Sequence, residues 1–196
     1  MARESGREKI LRGAMRVFLE DGYDAASMDR VAEMSGVARR TLYNQFPAGK
    51  ESMFLAAVEE FWKGFPQLSW EDSGEVEATL RYVADAIVRF WTAEDMVPYL
   101  RMAIAVSERF PGLVVRPGDG GKLPLMEQLM QWLKKMHRAR RMRVPNAELA
   151  MWQLFGLVTE PLVWPRLIGI ELPTGEAFRK AVVDGAVAAM MRLYAV

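Results

Sequence analysis

Apolar residues recur along this chain every three or four positions, with polar residues between them, from Ser5 almost to the end. Ile10, Ala14 and Phe18, with Leu11 and Met15 beside them, form one stripe on a helix. Ser5 suits its N-cap, and Asp21-Gly22 suits its stop. After a short loop, Ser27 caps a two-turn segment from Met28 to Met34, with Asp29 in its first turn and Met28, Val31 and Ala32 on one face. Ser35-Gly36-Val37 breaks that segment. A second short helix is predicted from about Ala38 to Phe46, ended by Pro47 to Gly49. A longer one from about Lys50 to Trp62 carries Met53, Phe54, Ala57, Val58, Phe61 and Trp62 at helical spacing.

The stretch from Gly64 to Gly74 holds Gly, Pro, Ser and acids and marks a change between two halves. Beyond it, Val76, Leu80, Val83, Ile87 and Trp91 mark another amphipathic helix. Pro98 and Pro111-Gly112 bracket a shorter one, and VRPGDGG, residues 115–121, reads as a loop. Leu123 to about Arg141 reads as helix. Asn146 caps the next, which runs towards Leu167 with Pro161 and Pro165 predicted to kink or end it. Thr174 is placed as the cap of the last helix, which carries Phe178, Val182, Gly185, Ala189 and Met190. β-Branched residues never alternate with polar ones over five positions. The fold class is therefore all-α, with about nine helices. The expected division is a helix-turn-helix domain over 1–50, continued by the start of a connecting helix over 50–63, and a second domain over 64–196.

The 196 residues are 51% hydrophobic and 26% charged, with a formal net charge of +1. A chain this long buries roughly 70% of its extended surface and needs no covalent staple. It has no Cys and a single His, His137. Disulfides, thiol chemistry, thiolate zinc sites and His-cluster metal sites are thereby excluded. There is no apolar run of membrane-spanning length and the N-terminus is charged, so a cytoplasmic location is expected. No nucleophile elbow partners His137, and the Gly-rich stretch lacks the strand before it and the helix after it that a phosphate loop needs. No enzyme activity, cofactor or metal is expected.

The informative unit is Ser27 to Phe46: two short helices joined by a turn containing Gly, the helix-turn-helix pattern. Two such helices cannot bury a core alone, so the preceding long helix must pack across them. Leu42 and Phe46, at i and i+4, are the inward anchors. The outer face then carries Arg39, Arg40, Thr41, Tyr43, Asn44 and Gln45, and no acid lies between Val37 and Lys50. A carboxylate on that helix would face DNA phosphates.

These positions, with Ala14, Phe18, Gly22-Tyr23, Gly36-Val37, Thr41-Leu42-Tyr43, Phe46 and Lys50-Glu51, resemble the DNA-binding domain of the TetR family of bacterial transcriptional regulators. The resemblance covers about a quarter of the chain. It implies that Ser27 caps its helix and touches a phosphate, and that Arg39, Arg40 and Thr41 lie at the major-groove end of the recognition helix. Tyr43 would meet backbone or a thymine methyl, Gln45 a phosphate, and Lys50 a phosphate from the start of the next helix. One residue more than is usual in the family separates Phe46 from Lys50, and Asn44-Gln45 stands where an aromatic-His pair is common.

RMAIAVSERFPGL and FGLVTEPLVWPRLIG resemble, more weakly, a sixth helix and a dimer helix of AcrR-like members. The resemblance implies a homodimer on double-stranded, near-palindromic operator DNA, released by a small-molecule effector. Trp62, Phe65, Trp91, Met102, Gln128, Trp132 and Phe155 are the candidates to line an effector pocket for an apolar or amphipathic molecule; stripes of this kind are more often plain core or dimer interface, and some of the set must face a cavity if an effector binds. Trp152, Val158, Val183, Val187 and Met190 are the candidate dimer seam. The rival reading is a helical small-molecule-binding protein or enzyme whose helix-turn-helix no longer reads DNA.

Charge sharpens this picture. Residues 1–50 carry +2, 51–121 carry −6, 122–143 carry +6 and 144–196 carry −1. The strongest basic block, Lys134 to Arg143, is therefore not the reading head. It reads as a solvated helix end, a contact with an acidic surface of the same chain, or a second nucleic-acid patch. DNA affinity has to come from placement and from dimerisation rather than from bulk charge.

Overall fold

A computed structural model describes residues 5–63, 75–111, 122–173 and 175–196. Among the described residues there are nine α-helices and no strand: α1 (Gly6–Ala25), α2 (Met28–Ser35), α3 (Arg39–Gln45), α4 (Lys50–Trp62), α5 (Val76–Trp91), α6 (Met96–Ala105), α7 (Lys122–Arg138), α8 (Ala147–Leu167) and α9 (Glu176–Leu193). The chain divides into two compact units, residues 1–65 with 98–121, and residues 66–97 with 122–196. A single boundary near residue 64 does not anticipate that residues 98–111 return to pack with the helix-turn-helix. The expected loops over 64–74 and 115–121, and the candidates Phe65 and Thr174, lie outside the described residues.

In the first unit α1 packs against α2 and α4, and α2 against α3. Ser5 starts α1 with a reciprocal pair: its Oγ accepts from the Glu8 backbone N–H at 3.2 Å, and the Glu8 carboxylate accepts from the Ser5 N–H at 2.8 Å. The Ser5 N–H first, and the Ser5 side chain after it, hold the Glu8 carboxyl below its usual range. Gly22 leaves helical geometry at φ 77°, so the sequence stop at Asp21-Gly22 marks a real break, after which a last turn reaches Ala25. On the α2 side of α1, Gly13 allows close approach: a Cβ there would lie 2.2 Å from Ser35 Oγ. Phe18, Tyr23, Phe54 and Phe110 form the aromatic core, with Tyr23–Phe54 and Tyr23–Phe110 ring centres 4.8 and 4.9 Å apart. In the same unit, Trp62 Nε1–H donates to the Tyr99 hydroxyl at 2.6 Å, and Phe61 stacks on Tyr99 at 4.4 Å.

In the second unit α5, α8 and α9 pack on one another, and α7 packs on α8. Arg81 on α5 pairs with Asp184 on α9, which Lys180 also holds at 2.6 Å. The Tyr194 hydroxyl donates to Gln153 on α8. Three expectations about helix ends change here. α6 begins at Met96, so Pro98 lies in its first turn, where its missing N–H costs no helical bond. α7 ends at Arg138, three residues early, because Arg140 adopts φ 54° and the Arg141 and Met142 N–H groups turn back to the Met136 carbonyl. The cap position of α9 falls to Gly175, with no side-chain cap bond. Pro161 and Pro165 lie inside α8, which continues to Leu167.

Candidate nucleic-acid interface

The helix-turn-helix is built from three local devices. Ser27 Oγ accepts from the Arg30 N–H at 3.2 Å and opens α2. Gly36, at φ 62°, closes α2 in the left-handed conformation that a side chain disfavours, and its N–H returns to the Ala32 and Glu33 carbonyls. Leu42 and Phe46 then sink into the core at 0% and 3% exposure. With those two anchored, the opposite face of α3 must point outward.

That face is as the sequence predicts for most of its residues. Arg39, Arg40, Thr41, Tyr43 and Asn44 are all exposed, as is Ser27. Arg39 is held: its Nε lies 2.8 Å from Asp29 Oδ1 in the first turn of α2. Arg40 has no ion-pair partner among the described residues. Ser27, Asp29, Arg30, Glu33, Gly36, Val37 and Arg39 surround an open surface depression of about 670 Å³. Arg30 is turned away, towards Glu20 and Asp21 on α1 at 3.3 Å each.

Two candidates are placed differently. Lys50 does not reach outward: its Nζ donates to the backbone carbonyls of Tyr23, Asp24 and Ala26 at 2.8, 3.1 and 3.1 Å, and lies 4.6 Å from the Tyr23 ring centre. All three ammonium hydrogens are thereby engaged, so the expected phosphate contact is corrected to a clamp on the end of α1. Gln45 is half-buried, and its Oε1 is buried without a hydrogen-bond partner among the described residues. It is poorly presented to a phosphate.

A feature that the sequence did not signal braces the same unit. Arg109, after α6, lies 4.8 Å from the Tyr23 ring centre and within 3.6 Å of Glu51 and 3.9 Å of Asp24. Burial pushes the Tyr23 phenol up, against the lowering effect of Arg109. The partners of Arg109 are 58 to 86 positions away in the chain, so no local pattern could have indicated them.

The sequence comparisons bear directly on these two halves. Residues 10–69 match the profile of bacterial regulatory proteins of the tetR family. Residues 78–196 match that of the C-terminal domain of AefR-like transcriptional repressors. The chain belongs to the TetR family of transcriptional regulators. Among relatives of this TetR-family chain, the HTH-type transcriptional regulator YxaF of Bacillus subtilis is 32% identical over 99 residues, 48% of this chain and 52% of that protein. The chain thus spans about half the length of that curated relative. Among solved structures, a TetR-family regulator from Mesorhizobium loti superposes with a TM-score of 0.76 at 21% identity, covering 97% of each chain. The Flavonoid-responsive Regulator FrrA superposes with a TM-score of 0.75 at 25% identity, covering 96% of each.

The remaining site candidates of this TetR-family protein fall into two sets. Trp62, Trp91, Met102, Trp132 and Phe155 are buried, whereas Gln128 is exposed. Trp91 and Phe155 meet edge to face at 5.4 Å, and the buried Trp132 Nε1 has no acceptor among the described residues. Of the dimer-seam candidates only Trp152 is exposed, at 43%. Val158, Val183, Val187 and Met190 are buried to 2% or less within the chain itself. They lie on α8 and α9, which pack with α5, and leave almost no surface for a partner. The outward apolar residues of α8 are instead Leu149, Trp152, Leu157 and Trp164.

Among the described residues no group of three or more potential ligands could hold a metal ion, and no helix is long and apolar enough to cross a membrane. The basic run ends α7 and forms the following turn. His137 Nδ1 accepts from the Val144 N–H at 3.2 Å, while Arg138, Arg140, Arg141 and Arg143 are exposed.

Proposed function

We propose that this chain is a ligand-released transcriptional repressor that binds a near-palindromic operator as a homodimer. The observation that carries the reading is the α3 face: five polar or basic side chains stand outward while Leu42 and Phe46 fix the helix beneath them. Two such faces, one per chain, would enter successive major grooves. With the first fifty residues carrying only +2, one chain lacks the charge for tight binding, and doubling the contacts supplies it.

Support for the dimer lies on α8 and α9. The outward face of α8 offers Trp152 and Trp164, and the outward face of α9 offers a run of small residues, Ala177, Ala181, Gly185 and Ala188. Bulky apolar side chains against small ones allow two helix pairs to approach closely. Support for an effector is the aromatic and Met-rich interior of the second unit. The flavonoid-responsive neighbour of the same fold is consistent with an aromatic or amphipathic effector. Such a molecule acts through its different affinity for the DNA-competent and released conformations.

The test is selection of bound duplexes from a randomised pool by the full chain. The expected result is an inverted repeat whose half-sites lie about one helical turn apart, bound by two chains. Recovery of unrelated sequences would contradict the reading.

A further inference from the structure

Arg39 and Arg40 are adjacent in sequence but differently held. The Arg39 Nε lies 2.8 Å from Asp29 Oδ1, and both side chains remain open to solvent, at 70% and 50%. Arg40 is exposed with no ion-pair partner among the described residues. An exposed pair of this kind contributes little to stability. Its effect is on direction. A guanidinium paired through Nε keeps its end-on edge, the Nη1 and Nη2 hydrogens, free, and the pair narrows the directions that edge can take. That edge is the one that matches O6 and N7 of guanine. The carboxylate also makes the spot unsuited to a phosphate, because Asp29 would stand beside it with like charge.

We propose that Asp29 is a positioning residue that presents Arg39 to a guanine edge, and that Arg40 takes the backbone phosphate. This division of labour rests on the DNA-binding reading above. It goes beyond that reading by assigning one arginine to sequence and its neighbour to affinity. A phosphate-binding arginine gains little from a fixed angle, whereas a bidentate base contact requires one. When DNA covers the pair and displaces water, the Asp29–Arg39 attraction strengthens and holds the angle where it is needed.

The experiment compares the full chain with Asp29→Ala, Arg39→Ala and Arg40→Ala on the duplex that the unaltered chain selects. Each position of that duplex is varied in turn, and binding is measured over a range of salt. Arg39→Ala is expected to flatten the preference at one G·C pair, a loss of roughly tenfold or more in discrimination. Asp29→Ala is expected to weaken the preference at that same pair by roughly threefold to tenfold, with the salt slope unchanged. Arg40→Ala is expected to weaken all sequences evenly and to lower the salt slope by about 1. If Asp29→Ala instead tightens binding to every sequence alike, Asp29 is only a competitor for Arg39 and the proposal fails. It fails too if the base preference at that pair is untouched by Asp29→Ala or follows Arg40. If the unaltered chain selects no duplex, it is the underlying DNA-binding reading that fails.

Discussion

The ammonium of Lys50 donates to the carbonyl oxygen of Tyr23 at 2.8 Å and lies over that residue's ring, 4.6 Å from its centre. Two further carbonyls, of Asp24 and Ala26, complete its shell. A cation at the end of α1 satisfies carbonyls that the helix leaves open and favours the negative end of its dipole. Lys50 is therefore expected to act on the stability of this unit rather than on DNA. Lys50→Met is expected to destabilise the chain by about 1–3 kcal/mol in denaturant unfolding, while leaving the salt slope of DNA binding unchanged. A slope lowered by about 1 with stability intact would mark Lys50 as a phosphate contact after all.

Tyr99 supplies a second, pH-dependent handle. Burial pushes its phenol up to about 12, more than offsetting the lowering effect of the Trp62 N–H that it accepts. An unfolded tyrosine titrates near 10. The folded chain thus keeps this proton longer, and the resulting stability is fully present below pH 10 and lost as pH rises towards 12. Over that window the loss is about 1.4 kcal/mol per pH unit. Tyr99→Phe should make the alkaline limb of a stability–pH curve shallower. It should also cost about 1–3 kcal/mol at neutral pH by removing the acceptor used by Trp62 Nε1.

The crossing of α1 and α2 depends on Gly13. A Cβ there meets Ser35 Oγ at 2.2 Å and Ser35 Cβ at 3.1 Å. Gly13→Ala is expected to lower stability by about 1–3 kcal/mol through overpacking, measured by thermal unfolding. Adding Ser35→Gly should restore part of it. Ser35 Oγ is buried with no partner among the described residues, so Ser35→Ala alone should be neutral or stabilising by about 1 kcal/mol.

The reading head was legible in the sequence because its signals are local. Ser27 caps within three residues, Gly36 turns the chain at one position, and Leu42 and Phe46 declare the inner face by spacing alone. Lys50 was not legible, since its acceptors lie 24 to 27 residues upstream and only the folded chain brings them together. Nor was the return of Tyr99 and Phe110 to the first unit. Most of the candidate dimer seam lies inside the chain for a different reason. α8 and α9 carry apolar residues on more than one side, so periodicity cannot tell the side that meets α5 from the side left open. Burial separates them: Val158 faces in and Trp152 faces out.

That separation gives a paired test of assembly. Trp152→Asp is expected to yield a folded monomer by sedimentation, with operator binding lost. Val187→Glu is expected to unfold the chain, because Val187 is 1% exposed and a buried carboxylate would have no partner. A Trp152→Asp chain that remains dimeric would move the interface elsewhere.

On the proposed function, the α3 face binds DNA through placed contacts. The most direct measurement is the anisotropy of a labelled duplex titrated with the full chain and with an Arg39→Ala, Arg40→Ala double variant, from about 50 to 200 mM salt. Tight binding at low salt is expected, falling steeply and linearly on logarithmic axes, with a marked loss of affinity in the double variant. No binding at about 50 mM salt, or equal binding by the variant, would contradict it.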